Sequence, residues 1–127
     1  MGKLLEQVKA MSALVRAGDP EALRRWYSPD AEVVSLDGRL IGVDAIVQRL
    51  REALADGTFE TIRTTWSVED DDTIAVESFV EYSTGGHSVQ FPVMAMLRFD
   101  DDVVVAEHEY FDRQDLRRQL GDDDDNR

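Results

Sequence analysis

The chain has 127 residues, the length of a single domain, and its 27 acidic and 14 basic residues give a net charge of −13. This charge argues against binding to nucleic acids or to anionic membranes, which attract clustered Lys and Arg. Without cysteine, disulfides and thiolate chemistry are excluded, and no stretch reaches the roughly 18 apolar residues of a membrane helix. Glu6 and Lys9 interrupt the only apolar segment near the N-terminus, so we expect no signal peptide and a cytoplasmic protein.

The acidic residues are unevenly chosen: 17 of the 27 are Asp, and Lys3 and Lys9 are the only lysines. One interpretation is a surface that favours solubility. The other is a protein of a high-salt cytoplasm, as in halophiles, where screening of about 3 Å at 1 M salt would relieve the self-repulsion. Composition leaves both interpretations open.

Two helices are predicted at the start of the chain. Apolar residues recur at helical spacing over residues 3–17, and Gly18 ends that segment. Asp19 and Pro20 are typical of the cap and first position of a second helix. The inner face of this second helix is predicted to carry Leu23, Trp26 and Tyr27.

A hairpin and a third helix follow a break at residues 28–30. Residues 31–36 alternate like a strand, and Asp37-Gly38 is a strong two-residue hairpin signal before the return strand 39–41. Asp44 is predicted to cap a helix that ends at Asp56-Gly57.

The second half of the chain predicts four strands, a short helix and an acidic tail. Aspartate triplets and a Gly-Gly pair separate the strands and are typical of turns between antiparallel neighbours. We expect one α+β domain over residues 1–121, with the helices on one side of the sheet, and a disordered tail at 122–127. The predicted strands are 59–68, 73–83, 87–99 and 103–111, and the helix is 112–120.

Two segments resemble the SnoaL-like branch of the nuclear transport factor two-like superfamily. They are RRWYSPDAEVVSLDGRLIGVDAIVQRL, which resembles the helix–strand–hairpin–helix half, and VMAMLRFDDDVVVAEHEYFDRQDLRRQLG, which resembles the last two strands and closing helix. The resemblance covers about residues 4–121 and is most telling in EHEYFDRQDLRRQLG. It implies a cone-shaped curved antiparallel sheet, with three helices of the N-terminal half on its concave face and a short C-terminal helix.

The resemblance also implies a function class and a partner. Members include polyketide cyclases, a ketosteroid isomerase, limonene epoxide hydrolase and binding domains without known activity. It therefore implies a pocket for a small apolar molecule, no cofactor, and a homodimer formed through the convex face of the sheet. Because one fold can support many functions, the resemblance is weaker evidence for chemistry than for structure.

Two known mechanisms of the family do not match the residues present here. The isomerase uses a carboxylate on the first strand, at the position of Ser35, and serine is not a base near neutral pH. The epoxide hydrolase uses an Asp–Arg–Asp set, and the resemblance places Val76 at its arginine, Ser78 at one aspartate and Glu109 at the other. Only Glu109 keeps an acid.

Glu109 is therefore the candidate catalytic acid or base, with Glu107 about 6.6 Å away on the same face of one strand. In an apolar pocket, burial and mutual repulsion would raise the pKa of at least one carboxyl. The alternative is that Glu109 is a structural carboxylate and Glu107 a charge at the pocket rim. The other predicted pocket residues are Ser35, Trp66, Val76, Ser78, Tyr82, Phe91, Val93 and Phe111.

The register of the last strand decides this site. Hydropathy slightly favours burying Val104, Ala106, His108 and Tyr110, whereas the resemblance favours burying the alternate set that contains Glu107 and Glu109. We expect the second, together with Val76, Ser78, Val80 and Tyr82 inward on one neighbouring strand and Phe91, Val93, Ala95 and Leu97 inward on the other. No histidine has a partner at metal-binding spacing, so no metal site is expected. A non-catalytic binding domain and a cofactor-independent isomerase, cyclase or hydrolase both remain open, and the sparse polar groups slightly favour binding.

Overall fold

The computed structural model describes residues 2–121, so the predicted tail at 122–127 lies outside the described residues. The elements in chain order are α1 (Lys3–Ala17), α2 (Pro20–Leu23) with a 3-10 turn (Arg24–Trp26), β1 (Tyr27–Ser35), β2 (Gly38–Ile41), α3 (Val43–Asp56), β3 (Gly57–Glu69), β4 (Thr73–Thr84), β5 (His87–Asp100), β6 (Val103–Tyr110) and α4 (Arg113–Gln119). No helix within residues 2–121 is long and apolar enough to cross a membrane.

The first helix forms as predicted. Leu4, Val8 and Met11 lie one helical turn apart and are buried against the sheet. Gly18 ends α1 in the left-handed conformation, at φ 75°, and its N–H bonds to carbonyls of the last turn. This is the usual conformation for a glycine at a helix C-terminus.

The second helix is shorter than expected. The Asp19 side chain caps it by accepting from the Ala22 N–H at 3.1 Å. The helix then tightens into the 3-10 turn, and Tyr27 starts β1 instead of continuing the helix face. Asp44 is also not a cap: α3 begins after Gly42, and Asp44 lies in its first turn, where it pairs with Arg24.

The six strands form one curved sheet in the order β2-β1-β6-β5-β4-β3. All neighbouring strands are antiparallel except β1 and β6, which run parallel. The predicted turns are present, and Gly85-Gly86 and Asp101-Asp102 adopt the positive φ values that tight hairpins need. The predicted break at residues 28–30 lies inside β1, where the pairing with β6 is irregular between Tyr27 and Glu32.

A bulge in β6 resolves the two competing registers. Ala106 pairs with Arg98 and Val104 with Phe99, which leaves Val105 as an extra residue without a partner. The extra residue reverses the alternation of side chains. Val104 is therefore fully buried, and Glu107 also faces inward, so each register is correct for one part of the strand.

The core lies between the concave face of the sheet and the helices. A larger cluster joins α1, α2 and α3 to the end of the sheet that contains Ile74, Leu97 and Val104. A smaller cluster centred on Val89 and Phe91 packs against residues of α4. This arrangement confirms the expected α+β architecture, with helices on one face of a curved sheet.

Candidate ligand-binding site

A cavity of about 470 Å³ lies inside the cone, between the concave face of the sheet and all four helices. Its walls are mostly apolar because β4 and β5 turn alternate aliphatic and aromatic side chains toward it. Leu116 and Leu120 of α4 line it as well. The volume falls within the range of small-molecule pockets, roughly 300–1,000 Å³.

Most of the predicted site residues meet at this cavity. Every residue expected to face inward on β4 and β5 lines it, and Glu81 is in contact instead with Thr61, Ser88 and Gln90 outside it. The predicted site residues that line the cavity are Val76, Ser78, Tyr82, Phe91, Val93, Glu107, Glu109 and Phe111.

Trp66 was wrongly expected in the pocket. Its side chain is 71% exposed and does not line the cavity. Thr64 pairs with Ser78 and Trp66 with Glu77, so Thr65 is an extra residue in β3. As in β6, the bulge reverses the alternation and turns Trp66 to the outer face.

Ser35 also does not line the cavity. It ends β1 opposite Gly38, and its Oγ accepts a hydrogen bond from the Asp37 N–H at 3.2 Å. The hydroxyl thus stabilises the hairpin turn. Val33, two positions earlier, lines the cavity and pairs with Glu107 of β6.

Glu107 is the buried polar centre of the site. It is only 6% exposed, and its Oε1 accepts a hydrogen bond from the Tyr27 hydroxyl at 2.6 Å. Burial raises the pKa of Glu107 well above its usual range, and the hydrogen bond and charge of Glu109 raise it further. Burial and the nearby Glu107 also raise the pKa of Tyr27, so its hydroxyl remains a donor.

Glu109 has a different environment on the same strand. Burial by itself would raise its pKa, but the hydrogen bond with Glu107 and the charge and hydrogen bond of Arg49 outweigh burial and lower it. The Arg49 Nη2 lies 3.0 Å from the Glu109 Oε1, with the two side chains 38% and 23% exposed. Arg49 comes from α3, whose inner face packs over β1 and β3.

The four side chains form two hydrogen-bonded pairs. Tyr27 donates to Glu107, and Arg49 donates to Glu109. The pKa of Glu107 is raised and that of Glu109 is lowered, which favours the proton on Glu107 and the negative charge on Glu109 beside the Arg49 guanidinium. Such a pair can both donate to and accept from a polar group of a ligand.

Tyr27 and Arg49 are the functional residues that sequence reasoning missed. Tyr27 was identified as an inward-facing aromatic, but its partner lies 80 residues away. Arg49 precedes the apolar Leu50 in the third helix, and nothing local distinguishes it from a solvated arginine. Pairing α3 with the last strand would have been needed to find it.

The remaining polar groups of the cavity differ in availability. The Tyr82 hydroxyl donates to the Ala53 carbonyl at 2.6 Å, so it ties β4 to α3. Ser78 is 9% exposed, and its hydroxyl makes no side-chain hydrogen bond within residues 2–121, so it can bond to a ligand. Across the described part of the chain, no three His, Asp or Glu side chains form a group that could hold a metal ion.

Comparisons with known proteins agree with this geometry. The model of the SnoaL-like domain family matches residues 8–108. None of the curated proteins matches the chain by sequence.

Several solved structures share the fold at low sequence identity. A protein of ketosteroid isomerase-like fold from Catenulispora acidiphila, in complex with trimethylamine, is 19% identical over 91% of this chain and 92% of its own, with a TM-score of 0.83. An epoxide hydrolase of M. tuberculosis is 20% identical over 91% and 90%, with a TM-score of 0.78. An NTF2-like protein of unknown function from Burkholderia pseudomallei is 16% identical over 94% and 98%, with a TM-score of 0.83.

Proposed function

The chain belongs to the SnoaL-like domain family and is a small-molecule-binding domain, and we propose that its ligand is a largely apolar molecule with one neutral polar group. The observation that carries this proposal is the cavity of about 470 Å³, whose mostly apolar lining includes the polar side chains of Glu107, Glu109 and Ser78. An apolar body gains free energy by leaving water, and a hydroxyl or carbonyl group fixes its orientation.

The balance of charges supports a neutral polar group. Glu109 is already paired with Arg49, and burial raises the pKa of Glu107, which favours its protonated form. A ligand carboxylate beside this pair would add an unpaired negative charge in an apolar surrounding, which is costly. A hydroxyl or carbonyl oxygen adds none.

Cavity filling tests the binding proposal. Val93→Phe adds volume inside the cavity, whereas Met94→Phe changes the next residue of β5, which is 44% exposed on the outer face. With the neutral fluorescent probe N-phenyl-1-naphthylamine, we expect Val93→Phe to weaken binding about tenfold, or about 1.4 kcal/mol. Equal affinity in the wild type and both variants would place the probe elsewhere and contradict the proposal.

A second candidate function is proton transfer, with Glu109 as the base and Glu107 as the acid. The observation that favours it is the opposite direction of the two pKa shifts within one pair. Glu109 could take a proton from the carbon next to a ligand carbonyl while Glu107 donates its proton to the carbonyl oxygen, which yields an enol. Binding remains the main proposal because it needs only the cavity.

Deuterium exchange tests this second function. The protein is incubated with 2-tetralone in D2O, and exchange next to the carbonyl is followed by NMR. Catalysis predicts faster exchange than in buffer and a loss of about 10²-fold or more in Glu109→Gln. Glu77→Gln, on the neighbouring outer face, is the matched control. Exchange that is the same with wild type and with Glu109→Gln would exclude Glu109 as the base.

We also propose that the convex face of the sheet forms a homodimer. Two adjacent rows of paired residues cross β3 to β6 on this face, Trp66–Glu77–Met94–Tyr110 and Val68–Ala75–Met96–His108. The five large apolar members of these rows are 44–71% exposed. An apolar patch that continues across four strands is typical of a protein interface.

Light scattering after gel filtration tests the dimer. Met96→Asp places a charge in the centre of the patch, so we expect it to convert a dimer into a folded monomer. Ile41→Asp changes another exposed residue, in β2 at the far edge of the sheet, and is expected to remain dimeric. A monomeric wild type would refute the interface.

The preference for Asp over Lys supports a further proposal, that the protein works in a high-salt cytoplasm. Repulsion among surplus carboxylates destabilises the fold at low salt and is screened at high salt. The melting temperature is therefore expected to rise when KCl increases from roughly 0.1 to 1 M, because the Debye length falls from about 10 Å to about 3 Å and the carboxylates repel each other less. If the melting temperature does not change with KCl, the high-salt proposal is contradicted and the acidic surface is explained by solubility.

A further inference from the structure

A second hollow of about 440 Å³ lies between α1 and β3 and differs from the cavity in chemistry. It is a surface groove, lined on the helix side by Lys9, Ser12, Ala13 and Arg16. These positions follow the i, i+3, i+4, i+7 spacing and so share one face of α1. The opposite wall is the stretch 61–64 of β3.

The β3 wall of the groove is a free sheet edge. The strand is the last in the sheet, so one side of its backbone has no neighbouring strand and presents N–H and C=O groups. Thr61 and Thr64 add hydroxyl groups, although Thr61 also bonds to Glu81. Arg63 belongs to the same stretch, but its guanidinium stacks over the Phe79 ring at 4.9 Å.

The two cations of the helix wall have no acidic partner within residues 2–121, although acidic residues outnumber basic ones by 13 in the chain. At least seven other cations of the described chain form ion pairs. Lys9 and Arg16 make no ion pair within residues 2–121. The groove is therefore a concave surface with local positive charge, next to serine and threonine hydroxyls.

The groove adjoins the cavity. Ser12 and Ile62 line both hollows, so the cationic wall of α1 begins where the apolar wall formed by Val8, Met11 and Val15 ends. Positions 8, 11 and 15 turn toward the cavity, and positions 9 and 16 toward the groove. The same helix thus presents an apolar face to the cavity and a cationic face to the groove.

We propose that the groove binds an oxyanion carried by the molecule whose apolar body fills the cavity. The ligand would then be amphipathic, with a neutral polar group at Glu107 and Glu109 and a carboxylate, sulfonate or phosphate between Lys9 and Arg16. This inference rests on the proposed cavity-binding function and adds the class of the ligand's second end.

A matched pair of fluorescent probes tests the groove separately from the cavity. N-phenyl-1-naphthylamine is neutral, and 8-anilinonaphthalene-1-sulfonate has the same rings plus one sulfonate. Each is titrated against the wild type, Lys9→Gln, Arg16→Gln and the double variant. Arg25→Gln removes an exposed cation outside the groove and is the control for net charge.

The sulfonate probe is expected to lose about three- to fivefold in affinity for each groove cation removed, as for an exposed ion pair. The neutral probe should bind all five proteins equally, and Arg25→Gln should not change either affinity. Increasing KCl should weaken only the sulfonate probe, because screening acts on the charge.

The outcomes separate the two proposals. If the neutral probe does not bind the wild type, the cavity function fails. If it binds but the affinity of the sulfonate probe does not depend on Lys9 and Arg16, the groove proposal alone is overturned. A loss of sulfonate affinity in Arg49→Gln but not in Arg16→Gln would place the anion inside the cavity and would also overturn it.

Discussion

The concave and convex faces of this sheet come from the same strands, yet they have opposite properties. Val93 and Met94 are neighbours on β5, and one lines the cavity while the other is 44% exposed. Both residues are apolar, so hydropathy does not distinguish this pair. The difference arises because the helices cover one face only, which shows that burial here depends on packing more than on residue type.

The carboxylates show the same contrast. Glu77 on the outer face accepts from the exposed Thr65 hydroxyl at 2.8 Å. On the inner face, Glu107 and Glu109 depend on each other, on Tyr27 and on Arg49 for their protonation. The cavity therefore turns two ordinary glutamates into one coupled group, which solvent prevents outside.

The largest expected difference between the covered and uncovered parts of the sheet concerns stability. Ile74 is fully buried and Ile41 is 65% exposed, so the same change to alanine can be made in each. We expect Ile74→Ala to lower the free energy of unfolding by about 2–5 kcal/mol. Ile41→Ala should change it by no more than about 0.5 kcal/mol. Urea unfolding measures both, and equal losses would contradict the asymmetry.

The pH dependence of stability sharpens the comparison at Glu107. Its pKa is raised by burial, so the folded state holds a proton that the unfolded chain releases above the ordinary glutamate pKa. Stability should therefore fall as pH rises from that value toward the raised pKa, by about 1.4 kcal/mol per pH unit at most. Glu109 has a lowered pKa, so its ionised form stabilises the folded protein above the ordinary glutamate pKa. This stabilisation is lost as pH falls through the lowered pKa and Glu109 takes up a proton.

Glu107→Gln isolates this effect, because the glutamine amide has nearly the size of the carboxyl group and can donate a hydrogen bond, but it cannot ionise. Urea unfolding is measured at several pH values. Between the pKa of Glu107 in the unfolded chain and its raised pKa in the folded protein, the wild type should lose stability relative to the variant as pH rises. Glu77→Gln, on the outer face, should run parallel to the wild type. A constant difference between wild type and Glu107→Gln across this range would mean that Glu107 is not protonated in the folded state.

A smaller effect is expected at Arg49. This side chain is 38% exposed, so solvent screens its bond to Glu109 and the stability change in Arg49→Gln should be only about 0.2–1 kcal/mol. The pKa of Glu109 should nevertheless rise, because burial would no longer be offset by the guanidinium. Carboxyl 13C NMR titration measures it, and an unchanged Glu109 pKa would show that Arg49 does not control the pair.

Local signals in the sequence were sufficient for the elements and for much of the inner face. The helix end at Gly18, the hairpin at Asp37-Gly38 and the turn at Gly85-Gly86 follow from backbone preferences of single residues. Simple alternation placed Val76 to Tyr82 and Phe91 to Leu97 correctly, because β4 and β5 pair with each other without a bulge. Periodicity is reliable wherever the ladder is regular.

Tertiary structure decided the rest, and the reason is geometric. The bulges at Thr65 and Val105 each insert one residue, which turned Trp66 outward and allowed Val104 and Glu107 to be buried on one strand. No residue type marks these two positions. The contacts of Glu107 with Tyr27 and of Glu109 with Arg49 join residues 80 and 60 positions apart. They exist only because α3 and the first strand pack against the last strand, and they shift the pKa values of the two cavity carboxyl groups.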